Sequence, residues 1–160
     1  MYIRKATEQD VLSFEIAIDD VNELMANDPR RDLESVLLSH LTPSSVVLVD
    51  ALGTVYAYGG NQGDNVWFVT SRLVSRLTRA ERREFVQRIA EYRDLRLDQY
   101  PVLWNYVWEG NSSHIRFLKI LGAVFHEEWT ESPVTGERFR LFTMSRSNNE
   151  SMRKVRGAEG

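Results

Sequence analysis

The spacing of apolar residues divides the chain into alternating extended and helical stretches. Tyr2–Lys5 reads as a short strand. Thr7 followed by Asp10 sets a cap and an acid at a helix start, although a full capping box calls for Glu or Gln at the third position. Phe14, Ile18, Val21 and Leu24-Met25 then recur every three or four residues, which is a helix face. Asp28-Pro29 interrupts it, and Leu33, Val36-Leu37 and His40-Leu41 form a second helical stripe. Val46–Val49 and Val55–Tyr58 pair as a hairpin around a short glycine-bearing loop. Gly59 to Asn65 reads as a turn leading into a strand over Val66–Val69.

The second half carries stronger punctuation. Thr78-Arg79-Ala80-Glu81 is a capping box, so a long helix over 79–100 is predicted, with Val86, Ile89-Ala90, Leu97 and Tyr100 on its buried face. Arg93 falls awkwardly on that face, and Pro101 ends the helix. Val102–Trp108 is an aromatic strand. Asn111 caps a short helix over 112–121, Gly122 is its C′ residue, and Ile115, Leu118 and Leu121 form its face. Val124–Trp129 and Phe139–Met144 close the domain as a hairpin around Pro133–Gly136. The order β-α-α-β-β-β-α-β-α-β-β predicts an α/β fold, a mixed β-sheet flanked by helices. Residues 1–144 make a single domain. Residues 145–160 are too polar to bury a core and are expected to form a disordered tail.

Composition narrows the function classes. The 160 residues suit one core. A formal net charge of −3 gives no global drive toward nucleic acid or anionic membrane, so neither is an expected partner. The absence of cysteine excludes disulfides, thiolate zinc sites and a cysteine thioester. The first ten residues lack the apolar run of a signal peptide, and the longest aliphatic run, Val46–Val49, is far short of a membrane span. His40, His114 and His126 lack metal-ligand spacing, and no metal site is expected.

The element order resembles that of the GNAT (N-acetyltransferase) superfamily. The opening Ile3-Arg4-Lys5-Ala6-Thr7-Glu8-Gln9-Asp10 and the stretch from Asn111 to Leu121-Gly122 resemble the superfamily's start and last helix motif. A closer resemblance lies in Leu103-Trp104-Asn105-Tyr106-Val107-Trp108-Glu109-Gly110-Asn111, Ile115–Lys119 and Gly122–Glu128, with Gly59-Gly60-Asn61 and Trp67–Ser71 in support. These segments resemble the internal virion protein A family of short-tailed lytic phages. That resemblance implies a GNAT-like fold in a morphogenesis protein. Its partners would be other phage virion or assembly proteins, and its location the host cytoplasm, with the virion as a second place.

An active enzyme of the superfamily holds the pyrophosphate of acetyl-CoA on a loop of Arg/Gln-x-x-Gly-x-Gly/Ala form that opens the long helix. With Arg72 as its first residue, Ser75 and Leu77 stand where glycines belong. With Arg76 first, Arg79 and Glu81 stand there. Arg76 and Arg79 could bind phosphate through their side chains, or could belong to a solvated face of interleaved charges. Asn111 matches the superfamily's cofactor-contacting Asn, or serves only as a cap. Seven residues on, where the resemblance implies a Tyr that protonates the thiolate, the chain has Leu118. Glu109, His114, His126, Glu127 and Glu128 are the available bases. No catalytic residue and no bound cofactor are therefore expected. The alternative is an acetyl-CoA-dependent N-acetyltransferase with an atypical cofactor loop, held at Arg76, Arg79 and Asn111. In the aromatic strand, alternation puts Trp104, Tyr106 and Trp108 on one side and Leu103, Asn105 and Val107 on the other. Three aromatics on one face could stack on bases or dock a protein, but in a buried central strand they are expected in the core. Asn105, inward among apolar residues on the other side, then needs hydrogen-bond partners.

Overall fold

The computed structural model describes residues 1–146. Seven strands form one sheet: β1 (Tyr2–Lys5), β2 (Val46–Val49), β3 (Val55–Gln62), β4 (Asn65–Thr70), β5 (Val102–Trp108), β6 (Val124–Glu131) and β7 (Arg138–Ser145). Their order across the sheet is β1-β2-β3-β4-β5-β7-β6. All neighbours are antiparallel except β4 and β5, which run parallel. Among the described residues five α-helices accompany the sheet: α1 (Glu8–Leu12), α2 (Ile18–Asn27), α3 (Leu33–Ser39), α4 (Arg79–Leu97) and α5 (Ser112–Ile120). The predicted α/β class, a mixed sheet flanked by helices, is the observed one.

Several boundaries differ from the sequence reading, each for a local reason. Thr7 and Asp10 do form a reciprocal capping box, Asp serving in place of Glu. Arg4 clamps the same carboxylate with two hydrogen bonds of 2.7 and 2.9 Å, and that contact holds Asp10 down to about 2. The helix face from Phe14 to Met25 is split. The chain leaves α1 at Ser13, Ile16 bridges to Ser71 in extended form, and α2 starts afresh at Ile18. Gly59 to Gln62 belong to β3 rather than to a turn, and Gly63 takes the positive φ of 58°. Gly59 is required there, since a Cβ would lie 2.7 Å from the Trp67 carbonyl oxygen and 2.8 Å from the Phe68 Cβ. Ser145 finishes β7 opposite Val102, and Arg146 bonds to Asp98, so these two residues leave the predicted tail; its remainder, 147–160, lies outside the described residues.

One core cluster joins β4 to β5. In it Leu103 and Val107 of β5, each 1% exposed, pack with Val66, Leu97, Leu118, Leu121, Phe142 and Met144. The expectation for the aromatic strand is thus corrected. The alternation holds, but Leu103 and Val107 are the buried set, while Trp104, Tyr106 and Trp108 are half-exposed. The indole N–H groups decide it: Trp104 donates to Asp64 and Trp108 to Glu137, both at the surface. Asn105 does find partners, donating to the Val66 carbonyl at 2.7 Å and accepting from the Tyr106 amide. Arg93 on α4 is 9% exposed and donates to the Leu121 carbonyl at 2.6 Å. That bond ties α4 to the end of α5.

Candidate functional site at the seam between β4 and β5

β4 and β5 share a short ladder. Asn65 lies opposite Trp104, and no further pair follows toward Thr70 and Trp108. Backbone amides near the diverging ends therefore need acceptors from elsewhere. α2 supplies them. Its Asp20 and Glu23 are three residues apart, so both carboxylates project from one helix face. Asp20 Oδ2 accepts from the Thr70 amide at 2.8 Å and from the Thr70 hydroxyl at 3.0 Å. Glu23 Oε1 accepts from the Trp108 amide at 2.9 Å. The segment before α2 finishes the bridge: the Ala17 amide donates to the Thr70 carbonyl, and the Arg72 amide to that of Glu15.

Asn111 sits at the centre of this cluster with no exposed surface. Its side-chain oxygen accepts from the His114 amide, which caps α5, and its Nδ2 donates to Asp20 Oδ1 at 3.1 Å and to Glu23 Oε1 at 3.5 Å. Cap and cluster member are the same residue. His114, on the first turn of α5, is nearly buried, with Nδ1 3.8 Å from Asp20 Oδ1 and its ring 4.6 Å from that of Phe68. Burial pushes the His114 imidazole below its ordinary value, and Asp20 only partly offsets this. Burial, with the nearby charge of Asp20, pushes Glu23 up to about 7 against the pull of the Trp108 amide and Asn111. A cavity of about 220 Å³ opens beside the cluster, between Val66 and Phe68 of β4 and Leu103 and Tyr106 of β5, with Glu23 and His114 in its wall.

The start of α4 tests whether acetyl-CoA fits. Thr78 Oγ1 accepts from the Glu81 amide at 3.2 Å, and Glu81 Oε1 accepts from the Thr78 amide at 2.9 Å. Those hydrogen bonds keep Glu81 below the ordinary glutamate value, so a negative charge stands where a pyrophosphate would need amide donors. The preceding residues, Arg72–Arg76, form a 3-10 helix rather than an open glycine loop, and Arg82 is engaged with the Ser75 carbonyl. The donor set does not fit a pyrophosphate. The side chains of Arg76 and Arg79 are exposed and have no hydrogen-bond or ion-pair partner among the described residues. The structure brings neither of them to Asn111, which lies in the interior at the seam.

The remaining candidates are scattered. Leu118 has no exposed surface and belongs to the core. Glu109 pairs with Arg140 at 3.0 Å, His126 shares a 2.7 Å hydrogen bond with Thr143, and Glu127 and Glu128 are exposed. Of the five bases named from sequence, only His114 reaches the cavity. Asp20 and Glu23 escaped sequence reading because acids on a polar helix face are ordinarily solvated. Nothing in the α2 sequence marks them; only the divergence of two parallel strands does. Among the described residues, no group of three or more His, Asp or Glu is placed to hold a metal ion, and no helix is long and apolar enough to cross a membrane.

Comparison with solved structures gives the architecture its name. The chain is similar to a GNAT-family acetyltransferase from Bacillus anthracis (9% identity, TM-score 0.63, 91% of this chain and 94% of that one). It is also similar to apo YjaB from Escherichia coli (14%, TM-score 0.59, 88% and 95%). A third likeness is to a spermidine N-acetyltransferase from Vibrio cholerae solved with CoA and spermine (14%, TM-score 0.58, 91% and 95%). At these identities the likeness establishes the GNAT fold and nothing about activity. Sequence comparison reaches further. The chain is 52% identical over 103 residues to the probable scaffold protein gp13 of Escherichia phage T7, a match covering 64% of this chain and 72% of the relative. Residues 45–130, which contain the seam, β5 and α5, match the model of the family described as bacteriophage T7 probable scaffold protein Gp13. The chain belongs to that family.

Proposed function

We propose that this chain is a phage morphogenesis protein that uses the GNAT fold as a protein-binding platform and has no acetyltransferase activity. The observation that carries the reading is the occupied start of α4. Thr78 and Glu81 satisfy each other's amides, and the Glu81 carboxylate would repel a pyrophosphate. Leu118 supports it, being a core residue that can neither donate nor accept a proton. Family membership supports the assembly role, since the T7 relative is described as a probable scaffold protein. On this reading the partners are other phage virion or assembly proteins, encountered in the host cytoplasm and carried into the virion in the manner of an internal virion protein.

Titration calorimetry with acetyl-CoA and CoA tests the reading. No saturable binding is expected below about 100 μM; a dissociation constant near 1 μM, about −8 kcal/mol, would overturn it. One observation favours a second reading, an atypical acetyltransferase: the seam cavity of about 220 Å³ carries Glu23, whose carboxyl is pushed up to about 7, in the range of a general base. Acetyl transfer to an amine that is lost in Glu23→Gln would establish that reading instead.

A further inference from the structure

Two surfaces toward opposite edges of the sheet carry charges that no other described residue answers. The first is the turn and first helical turns at the start of α4. Residues 72–83 hold five arginines and one acid, Glu81. Arg72 pairs with Glu15 and Arg82 bonds to the Ser75 carbonyl, whereas exposed Arg76, Arg79 and Arg83 have no ion-pair partner among the described residues. The second is the outer edge of β6. This strand pairs with β7 on one side only, so its other side presents an open edge. Between Phe125 and Trp129 its register with β7 shifts, and exposed Glu127 and Glu128 fall in that irregular stretch. Glu131 follows, also exposed, and residues 126–131 contain no Lys or Arg. Among the described residues the nearby cations are already engaged: Arg140 with Glu109, Arg138 over the Trp129 ring at 4.4 Å, and Lys119 over the Phe125 ring at 5.9 Å. Trp129 remains 45% exposed, an aromatic anchor on the same edge.

These surfaces cannot neutralise each other within one molecule. The start of α4 packs through Leu77 and Phe85 over Leu48 of β2 and Tyr56 and Ala57 of β3. β2 and β6 are separated by five strand spacings, roughly 24 Å. Physiological salt screens charge beyond about 8 Å. Three arginines and three glutamates, all without ion-pair partners among the described residues, thus lie far apart on one sheet. A second copy of the same chain offers each surface its complement. We propose that the protein self-associates head to tail, the arginine surface at the start of α4 in one copy docking on the acidic outer edge of β6 in the next. The inference rests on the platform reading and names one of its partners as the chain itself. Such a contact uses two different surfaces, so it does not close after two copies and propagates into a ring or filament.

Sedimentation velocity on the full chain tests it. From about 5 to 200 μM in 50 mM salt the weight-average sedimentation coefficient should rise, and in 500 mM salt it should fall to the monomer value. Arg79→Glu/Arg83→Glu and Glu127→Lys/Glu128→Lys should each weaken association at least tenfold. An equimolar mixture of the two variants should restore it, because each reversed surface then meets a complement. Circular dichroism confirms folding, and the milder Arg79→Ala/Arg83→Ala and Glu127→Gln/Glu128→Gln pairs replace any variant that unfolds. A wild type that stays monomeric throughout would overturn the proposal, as would association that survives both reversals, or a mixture that remains monomeric. None of these outcomes touches the platform reading, which the CoA titration tests separately.

Discussion

Replacing Glu23 by Gln separates the charge of the seam cluster from its hydrogen bonds. Gln keeps a side-chain oxygen for the Trp108 amide, now 2.9 Å from Glu23 Oε1, and removes the titration. A carboxyl raised from the ordinary 4.5 to about 7 binds its proton more tightly when the chain is folded. Its contribution to stability is therefore fully present below pH 4.5 and is lost as pH rises through 7. The full loss is of order 3 kcal/mol, from about 1.4 kcal/mol for each pH unit of displacement. His114 works in the opposite sense. Its lowered value gives stability that is present above its ordinary 6.5 and is lost as pH falls through the folded value. The wild-type profile is the sum of both, so the informative quantity is the difference between variant and wild type. Urea unfolding at pH 5 and pH 8 measures it. At pH 5 the two proteins should differ by no more than about 1 kcal/mol. At pH 8 Glu23→Gln should be the more stable, by up to about 3 kcal/mol or roughly 1–2 M in urea midpoint. Glu23→Ala, which leaves the Trp108 amide without its acceptor, should lose about 1–3 kcal/mol relative to Gln at either pH. A difference between Gln and wild type that does not change from pH 5 to pH 8 would refute the assignment of Glu23 as a buried, destabilising charge.

Three further substitutions probe the scaffold by thermal or urea denaturation. Leu118→Ala removes a side chain with no exposed surface and should cost about 2–5 kcal/mol; a cost below 1 kcal/mol would mean the position is not core. Gly59→Ala drives a methyl group against the Trp67 carbonyl and Phe68 Cβ, and should cost about 1–3 kcal/mol through displaced β3 and β4; a neutral result would contradict that close approach. Thr78→Ala removes one half of the α4 capping box and should cost about 1 kcal/mol, without creating CoA binding in the calorimeter, since Glu81 remains.

Where local chemistry decides, sequence and structure agree closely. Thr78-x-x-Glu81, the Asn111 cap and Gly122 at φ 86° all follow from the needs of helix ends, which involve only neighbouring residues. Disagreement arises where a distant strand intervenes. Phe14 and Ile18 are spaced as a helical repeat, yet the backbone between them bridges at Ile16 to Ser71, because the end of β4 lacks a partner in β5. Gly59-Gly60 looks like a turn by composition, but β4 packs close against β3 at that point and tolerates no larger residue at Gly59. In β5 the alternation of residues is legible, but the face that becomes core is chosen by the helices above it, Leu118 and Leu121 among them. The candidate site was the least legible part. Asn111 was marked by its cap, His114 by its chemistry, and Asp20 and Glu23 by nothing local, since their burial is created by amides 50 and 85 residues away.

The short β4–β5 ladder also gives the sheet a mechanical grain. Within β1–β4 and within β5–β7, strands are laced by runs of backbone hydrogen bonds that must fail together under tension. Across the seam the lacing is sparser: one register pair, Trp104 bonded to Asp64 at the end of the turn, and Asn65 and Asn105 donating to the opposite strand, with α2 straddling the far end through Asp20 and Glu23. A pull directed across the strands would open the molecule there like a page along its fold. The α2 carboxylates, bonded to Thr70 on one edge and Trp108 on the other, would have to let go before the strands could part there.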